Sequence, residues 1–341
     1  MAVLVWLAVL ASGSASAGTP ITAIAFSPDG SFLLTSGYRK VVIESVGDRI
    51  RRAELKCDFP KINALSFSPD GQFLAVGGGT PGDTGAVMLF ARERVQGQRE
   101  DMASRLATKL VSHRTAFDDV VTSVAFSPDR TKLAVASADG SVDIMAIGDA
   151  GFGAKPRFTL AGHSGPVLGV AFSPAGTILV TASADRSLRV WNSENGQPLR
   201  AFSHHTAIIH CVIFRPPPVV PGEAGLASCA SGSDDKSVRV WQPEIGRMVR
   251  IVRSHEGAIL ALAYSLDGSK LFSAGSEGII RIIDSESDSV RQQLKAHEDW
   301  IYAMALSPDG QTLATGDWAG TVKLWNVRGE NAPIEARALR P

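Results

Sequence analysis

GHSGPVLGVAFSPAGTILVTASADRSLRVW, residues 162–191, has the pattern of three short strands joined by two turns. The apolar pattern along residues 167–172 is typical of a strand with one buried face. Ser173-Pro174 begins the first turn, because proline fixes φ and suits a tight change of chain direction. The second turn surrounds Asp185. The stretch begins with Gly-His and ends with Trp, which gives it recognisable limits.

Variants of this stretch recur seven times along the chain. They align on a turn of the form Phe-Ser-Pro-Asp-Gly, and the seven turns begin at Phe26, Phe67, Phe126, Phe172, Phe214, Tyr264 and Leu306. Successive turns are 41, 59, 46, 42, 50 and 42 residues apart, and a period near 42 is typical of a radial or solenoid array. Each copy has four short strands, which cannot bury both faces alone, so neighbouring copies must stack.

The chain resembles the WD40 β-propeller family over residues 19–340. The resemblance is carried by the repeated Gly-His, Phe-Ser-Pro-Asp-Gly, Ser-x-Asp and closing Trp. Residues 162–191 contain all four, except that Ala175 stands in place of the turn aspartate. It implies an all-β fold with seven four-stranded antiparallel blades around a central channel. We therefore expect residues 18–341 to form a single propeller.

The resemblance also implies a hydrogen-bonded brace within a blade, made by a His, a Ser or Thr, an Asp and the Trp. Blades four and five have the residues for a complete brace: His163, Thr181 or Ser183, Asp185 and Trp191 in blade four, and His205, Asp235 and Trp241 in blade five. The His-Asp pairs are expected to be buried structural groups rather than catalytic ones, since a low dielectric strengthens a fully satisfied polar network.

The other blades depart from this brace. Blade six keeps His255 but has Glu277 and Ile283 at the Asp and Trp positions. Blade seven keeps His297 and Trp325 but has Ala319 at the Asp position. Blades one to three lack the spaced His. The C-terminal half of the ring is therefore predicted to be the more rigid one.

Recognition in this family uses three positions of each blade on the top face of the ring. In blade seven these positions carry Trp300, Tyr302 and Trp318, although the whole chain has only six Trp and three Tyr. Aromatic side chains are typical of binding hot spots. The alternative is that Trp300 packs down onto its own blade. Corresponding positions elsewhere carry Lys61, Asn63, Thr122, His210 and Asp234.

Composition and motifs restrict the function. The 34 basic and 34 acidic residues give a net charge of zero, which argues against nucleic acid or an anionic membrane as a partner. The chain has no G-x-S-x-G, HExxH or P-loop motif, and its histidines are spread singly by repeat apart from one adjacent pair, so we expect no enzyme activity, cofactor or metal. The three cysteines form no CxxC pair. A Cys211–Cys229 disulfide is one interpretation, and two buried thiols is the favoured one.

The N-terminus has the features of an export signal. An apolar run covers residues 2–11, which is too short to span a bilayer, and an A-x-A pattern ends at Ala17. We predict a signal peptide at residues 1–17 and a periplasmic or extracellular location, as in an exported bacterial member of the family. No Lys or Arg precedes the run, so the alternative is a ring-closing strand at residues 3–10 in a cytoplasmic protein.

The way in which the ring closes bears on whether the N-terminal apolar run is a signal or a strand. The spacing after Trp325 places an outer strand at residues 332–339, so the C-terminus can complete blade seven itself. The segment 11–15, which would otherwise supply that strand, is Ala-Ser-Gly-Ser-Ala and has poor strand propensity.

Together these features predict a non-catalytic scaffold that recognises a protein or peptide through its top face. The mixed polar residues of that face suit a peptide better than a phosphate backbone. An alternative is a ligand- or carbohydrate-binding or enzymatic propeller that uses the central channel, which convergent carboxylates at the rim would favour. A third interpretation is a recruited domain that works beside a separately encoded redox or hydrolytic partner.

Overall fold

The chain folds into seven antiparallel sheets, the blades of a closed β-propeller, as the repeats predict. The structure is a computed structural model that describes residues 18–48, 50–92, 110–153, 155–217, 226–287, 289–327 and 336–338. Within these residues no helix is long and apolar enough to cross a bilayer. The predicted signal at residues 1–17 lies outside the described residues and stays a prediction.

The first three blades contain thirteen strands. Blade one consists of β1 (Ile24–Phe26), β2 (Phe32–Gly37), β3 (Lys40–Ser45) and β4 (Arg51–Lys56). Blade two consists of β5 (Lys61–Phe67), β6 (Phe73–Thr80), β7 (Thr84–Ala91) and β8 (Leu110–Phe117). Blade three consists of β9 (Val121–Phe126), β10 (Lys132–Ser137), β11 (Val142–Gly148), β12 (Gly151–Phe152) and β13 (Phe158–Leu160). Its outer edge is divided, because β12 and β13 both pair with β11.

Blades four to seven have four strands each. Blade four consists of β14 (Val167–Phe172), β15 (Ile178–Ser183), β16 (Leu188–Asn192) and β17 (Pro198–Phe202). Blade five consists of β18 (Ile209–Phe214), β19 (Cys229–Ser233), β20 (Val238–Gln242) and β21 (Arg247–Val252). Blade six consists of β22 (Ile259–Tyr264), β23 (Lys270–Gly275), β24 (Ile279–Asp284) and β25 (Val290–Lys295). Blade seven consists of β26 (Ile301–Leu306), β27 (Thr312–Asp317), β28 (Val322–Asn326) and β29 (Ala336–Ala338).

The repeated turns between the first and second strands are fixed by their own side chains. In blade one, Ser27 Oγ donates to Asp29 Oδ1 over 2.6 Å and accepts the Phe32 N–H. Gly30 has a φ of 72°, a left-handed conformation that glycine adopts without a Cβ clash. The predicted tight turn is confirmed. The Ser-Asp hydrogen bond explains why those two residue types recur in it.

Each interface between neighbouring blades is filled by its own apolar cluster. Between blades three and four, Trp191 and Leu179 pack with Ile144. Between blades seven and one, Leu33 packs with Leu324, and β1 lies against β26. The inner strands thus follow one another around the channel, and the ring closes between its first and last blades.

The C-terminal segment supplies the outer strand of blade seven. β29 pairs antiparallel with β28, with Ala336 opposite Trp325. The prediction that the C-terminus completes its own blade is therefore confirmed. The segment 11–15, considered for the same position, lies outside the described residues.

The cysteines are unpaired. Cys211 lies opposite Gly232, whereas Cys229 lies opposite Phe214, so the two thiols occupy different register positions of one sheet. Burial raises the pKa of Cys211 to about 12 and that of Cys57 to about 12. Cys211 and Cys229 are both free thiols, in agreement with the favoured interpretation rather than with a disulfide.

Candidate functional site

A β-bulge sets the geometry of the top face, the end of the ring at which the inner strands begin, in blades two to seven. In each of these blades the pairing of the inner strand skips one residue near its start, the third residue in blade two and the second in blades three to seven. The skipped residues are Asn63, Thr122, Leu168, His210, Leu260 and Tyr302. A bulge leaves one residue outside the ladder and re-aims its side chain. Four of the predicted recognition residues stand at this position for that reason: Asn63, Thr122, His210 and Tyr302.

In blades one to three the residues at this level connect neighbouring blades. Thr22 Oγ1 donates to the carbonyl oxygen of Ile62. Asn63 Nδ2 donates to the Val121 carbonyl oxygen over 3.0 Å, and Thr122 Oγ1 donates to that of Val167 in blade four. Each bond joins one blade to the start of the next inner strand. Asn63 and Thr122, both named as candidates for the top face, are therefore tied into the framework of the ring.

In blade seven three aromatic side chains come together, as the sequence predicts for the top face. The ring centroids of Trp300 and Tyr302 are 6.1 Å apart with an angle of 26° between their planes, and those of Tyr302 and Trp318 are 5.2 Å apart. Trp300 is 44% exposed and Trp318 is 47% exposed, with Tyr302 half-buried between them. We call these three residues the aromatic patch. Trp300 contacts its own blade while a large part of its surface stays open to solvent.

The backbone holds the aromatic patch in place. The Trp318 N–H donates to the Trp300 carbonyl oxygen over 3.0 Å, which joins the turn after β27 to the segment before β26. The Trp300 N–H donates to Asp299 Oδ1 over 2.7 Å. Gly320 closes the turn with a φ of 87°. Two short segments that precede and follow the inner hairpin are thereby fixed side by side.

Two aspartates act electrostatically on the patch. Burial raises the pKa of Tyr302 to about 12, and the charges of Asp299 and Asp234 act in the same direction. Asp234 stands in the top turn of blade five, where its Oδ1 lies 2.6 Å from His210 Nε2. His210 and Asp234 are therefore a hydrogen-bonded pair whose charge reaches Tyr302. Lys61, the remaining candidate, is exposed at the start of β5 in blade two.

Blade four contains a complete brace. His163 Nδ1 lies 2.8 Å from Asp185 Oδ2 and His163 Nε2 lies 2.8 Å from Thr181 Oγ1, which accepts the Trp191 indole N–H over 2.9 Å. The hydroxyl of the brace is therefore that of Thr181. Ser183, the other candidate, instead donates to the Gly165 carbonyl oxygen.

The protonation of this brace follows from its partners. The carboxylate of Asp185 needs a donor, so His163 carries its proton on Nδ1 and accepts the Thr181 hydroxyl hydrogen on Nε2. Burial lowers the pKa of His163 despite the neighbouring Asp185. Burial raises the pKa of Asp185, but hydrogen bonds from Ser187 and His163 outweigh burial and lower this pKa to about 2. The pair is thus a neutral imidazole with a carboxylate.

Blade five repeats this brace with a serine. His205 Nδ1 lies 2.7 Å from Asp235 and Nε2 lies 2.8 Å from Ser231 Oγ, which accepts the Trp241 indole N–H over 2.9 Å. The Ser-His-Asp order is that of a hydrolase triad. Here Ser231 and His205 are buried, and the serine oxygen already accepts a hydrogen bond. The arrangement stabilises the blade and offers a substrate no approach to its hydroxyl.

Blade seven corrects one prediction from the sequence. Its brace has an aspartate, because His297 Nδ1 lies 2.7 Å from Asp317 Oδ2 and Nε2 lies 2.8 Å from Thr315 Oγ1. Trp325 donates to the same hydroxyl over 2.8 Å. The expectation of a missing aspartate at Ala319 was wrong, since the carboxylate comes from the end of β27, two residues earlier.

Blade six uses a different brace. His255 Nε2 lies 2.7 Å from Ser273 Oγ, and Arg281 Nη1 lies 2.8 Å from His255 Nδ1. Arginine has no acceptor, so Nδ1 must accept and the proton is on Nε2, the reverse of blades four, five and seven. Glu277 pairs with Arg281, and Ile283 is buried at the Trp position. Burial, helped by the charge of Arg281, lowers the pKa of His255 to about 4.

Two family models match the sequence. The model described as IFT122 first beta-propeller matches residues 120–332, more than half of the chain, and the model described as WD domain, G-beta repeat matches residues 8–43 and 52–89. The chain belongs to the WD40 β-propeller family. WD40 propellers generally act as non-catalytic scaffolds for protein interactions. No curated protein in the comparison matches the chain.

In this WD40 propeller the described residues contain no group of three or more His, Cys, Asp or Glu arranged to hold a metal ion. Sequence reasoning missed the bracing role of Asp317 and the inter-blade bond of Thr22. The aspartate is visible in the sequence, but it stands outside the family spacing. The bond of Thr22 depends on how neighbouring blades meet, which one repeat does not encode.

Proposed function

We propose that this WD40 propeller is a non-catalytic scaffold that binds a protein or peptide segment on its top face, centred on the aromatic patch of blade seven. The observation that carries the proposal is the contact of Tyr302 with both Trp300 and Trp318, while each of the two indoles leaves almost half of its surface exposed. A large apolar surface held open in this way contributes affinity when a partner covers it.

The rigidity of the patch favours binding. Trp300 and Trp318 are linked through their backbones, and blade seven is braced directly beneath them by His297 and Asp317. A surface that is already ordered loses little conformational entropy on association. Burial of the His-Asp-hydroxyl sets, in contrast, supports a structural role for them and a scaffold without catalysis.

The test compares three forms of the full chain as affinity baits in a lysate of its source cells. Trp318→Ala removes part of the patch, whereas Leu266→Ala removes an exposed apolar side chain from a turn on the opposite face. We expect a partner identified by mass spectrometry to bind the wild type and Leu266→Ala and to be lost on Trp318→Ala. Equal retention by all three forms would place recognition outside the patch.

A further inference from the structure

Two carboxylates lie beside the aromatic patch at fixed positions. Asp299 Oδ1 accepts the backbone N–H of Trp300 over 2.7 Å, which holds this carboxylate next to the first indole. Asp234, in the top turn of blade five, is held by His210 at 2.6 Å. Both charges act on the Tyr302 hydroxyl, which belongs to the middle ring of the patch. Carboxylate charge therefore acts on the aromatic surface from Asp299 in its own blade and from Asp234 in blade five.

Neither carboxylate is neutralised by a lysine or arginine in the part of the chain that the structure describes. Lys295, the lysine nearest to Asp299 along the sequence, pairs instead with Glu298 at 3.6 Å. Lys236, two residues after Asp234, is exposed. Lys323 Nζ donates to the carbonyl oxygen of Ala296 over 2.7 Å. Asp234 pairs with the imidazole of His210 at 2.6 Å. The charge of Asp299, next to the patch, is thus available to a ligand.

Covering such a surface has an electrostatic consequence. The faces of Trp and Tyr rings carry negative quadrupole potential, which attracts cations. A partner that covers the patch also removes water from the two carboxylates, and a desolvated charge without a counter-ion opposes binding. An apolar or acidic segment would leave Asp299 and Asp234 uncompensated. A positively charged side chain satisfies both the rings and the carboxylates.

We propose that the partner segment places the cationic side chain of an arginine or lysine against the aromatic patch, within reach of Asp299 or Asp234. This inference rests on the proposed function, because it specifies the chemistry of a ligand for the same surface. The cation lies over an exposed ring face, and its stem covers apolar surface. Specificity then comes from charge, whereas the exposed indoles supply contact area.

The probe is a phage-displayed library of random twelve-residue peptides, selected on the wild-type chain and screened against Trp318→Ala. We expect peptides that depend on Trp318 to be enriched in arginine and lysine. In a synthetic copy of such a peptide, replacement of the basic residue by norleucine should weaken binding about tenfold.

A charge variant separates this effect from contact area. Asp299→Asn keeps an oxygen that accepts the Trp300 N–H but removes the charge, and Glu298→Gln is the matched control because Glu298 is exposed and pairs with Lys295. Asp299→Asn should weaken the basic peptide severalfold and leave the norleucine peptide unchanged, with little effect from Glu298→Gln. Trp318-dependent peptides that bind equally well with norleucine would overturn the cationic ligand and leave the proposed function standing. A library without any Trp318-dependent peptide would remove both.

Discussion

His297 Nδ1 lies 2.7 Å from Asp317 Oδ2, although Asp317 stands two residues before the turn position that carries the aspartate in blades four and five. The second oxygen of Asp317 accepts the Thr321 N–H over 2.7 Å, so one carboxylate braces the histidine and closes the turn. Because the brace ends at the strand, Trp318 and Ala319 have no bracing role. The turn can therefore present an indole to solvent without weakening its blade.

We expect Asp317→Ala to lower the free energy of unfolding by about 3 kcal/mol, because it leaves a buried imidazole N–H and a turn N–H unpaired. Asp317→Asn, which keeps an acceptor, should have a smaller effect. Ala319→Asp, which restores the family residue, should change stability by less than about 0.5 kcal/mol, since this site is on the surface. Guanidinium unfolding near pH 7 measures all three. Equal effects of Asp317→Ala and Ala319→Asp would contradict the assigned brace.

The hydroxyl of blade four allows a similar comparison. Thr181→Val has nearly the same shape but leaves the Trp191 N–H and His163 Nε2 without their shared partner, so we expect a loss of about 3 kcal/mol. Ser183→Ala removes a hydroxyl that bonds to the backbone of Gly165, and the expected loss is about 1 kcal/mol. Unfolding of the two variants in parallel ranks them. The opposite order would show that Ser183 has the larger role.

The fold and part of the site were predictable from the sequence because they depend on local patterns. Repeated turns and alternating strands give seven blades, and the offset from Trp325 correctly places an outer strand at the C-terminus. The grouping of Trp300, Tyr302 and Trp318 follows from their positions in one repeat. Asp317 was missed because an aligned motif assigns each role to one column, whereas a carboxylate on a neighbouring residue can reach the same nitrogen.

Contacts between blades were not predictable for a different reason. The bonds of Asn63 and Thr122 to the next inner strand depend on the bulge and on the angle between two blades. Neither property is encoded within one repeat. The pairing of Asp234 with His210, and the action of its charge on Tyr302 two blades away, likewise depend on the assembled ring.

The stability of blade six should depend on pH through His255. Its pKa is lowered from 6.5 to about 4, so the folded state favours the neutral imidazole. The resulting stabilisation is fully present above pH 6.5 and is lost as the pH falls towards 4, because the unfolded chain binds a proton that the folded one does not. His255→Asn does not titrate in this range. The difference in unfolding free energy between wild type and variant should shrink by about 1.4 kcal/mol per pH unit in that window. If the unfolding free energies of wild type and His255→Asn change with pH in parallel, His255 is not the source of the pH dependence.

The bulge residues should divide into two groups by their effect on stability and on binding. Asn63 donates to the carbonyl oxygen of Val121, whereas Tyr302 contacts the two exposed indoles and is half-buried between them. Asn63→Ala removes one hydrogen bond between blades, so we expect a loss of about 1 kcal/mol and faster amide exchange at the interface of blades two and three. It should leave the affinity for a Trp318-dependent peptide unchanged.

Tyr302→Leu should have the reverse effect. It keeps an apolar side chain at the bulge but separates Trp300 from Trp318, so the two indoles no longer form one continuous surface. We expect peptide affinity to fall about tenfold or more, as for the loss of an interface hot spot, while amide exchange between blades two and three stays as in the wild type. Unfolding and peptide titration of both variants give the comparison. If Asn63→Ala weakens peptide binding as strongly as Tyr302→Leu does, the recognition surface extends past blade one to blade two. The division of the bulge residues into those that bond neighbouring blades and those that form the binding surface would then be wrong.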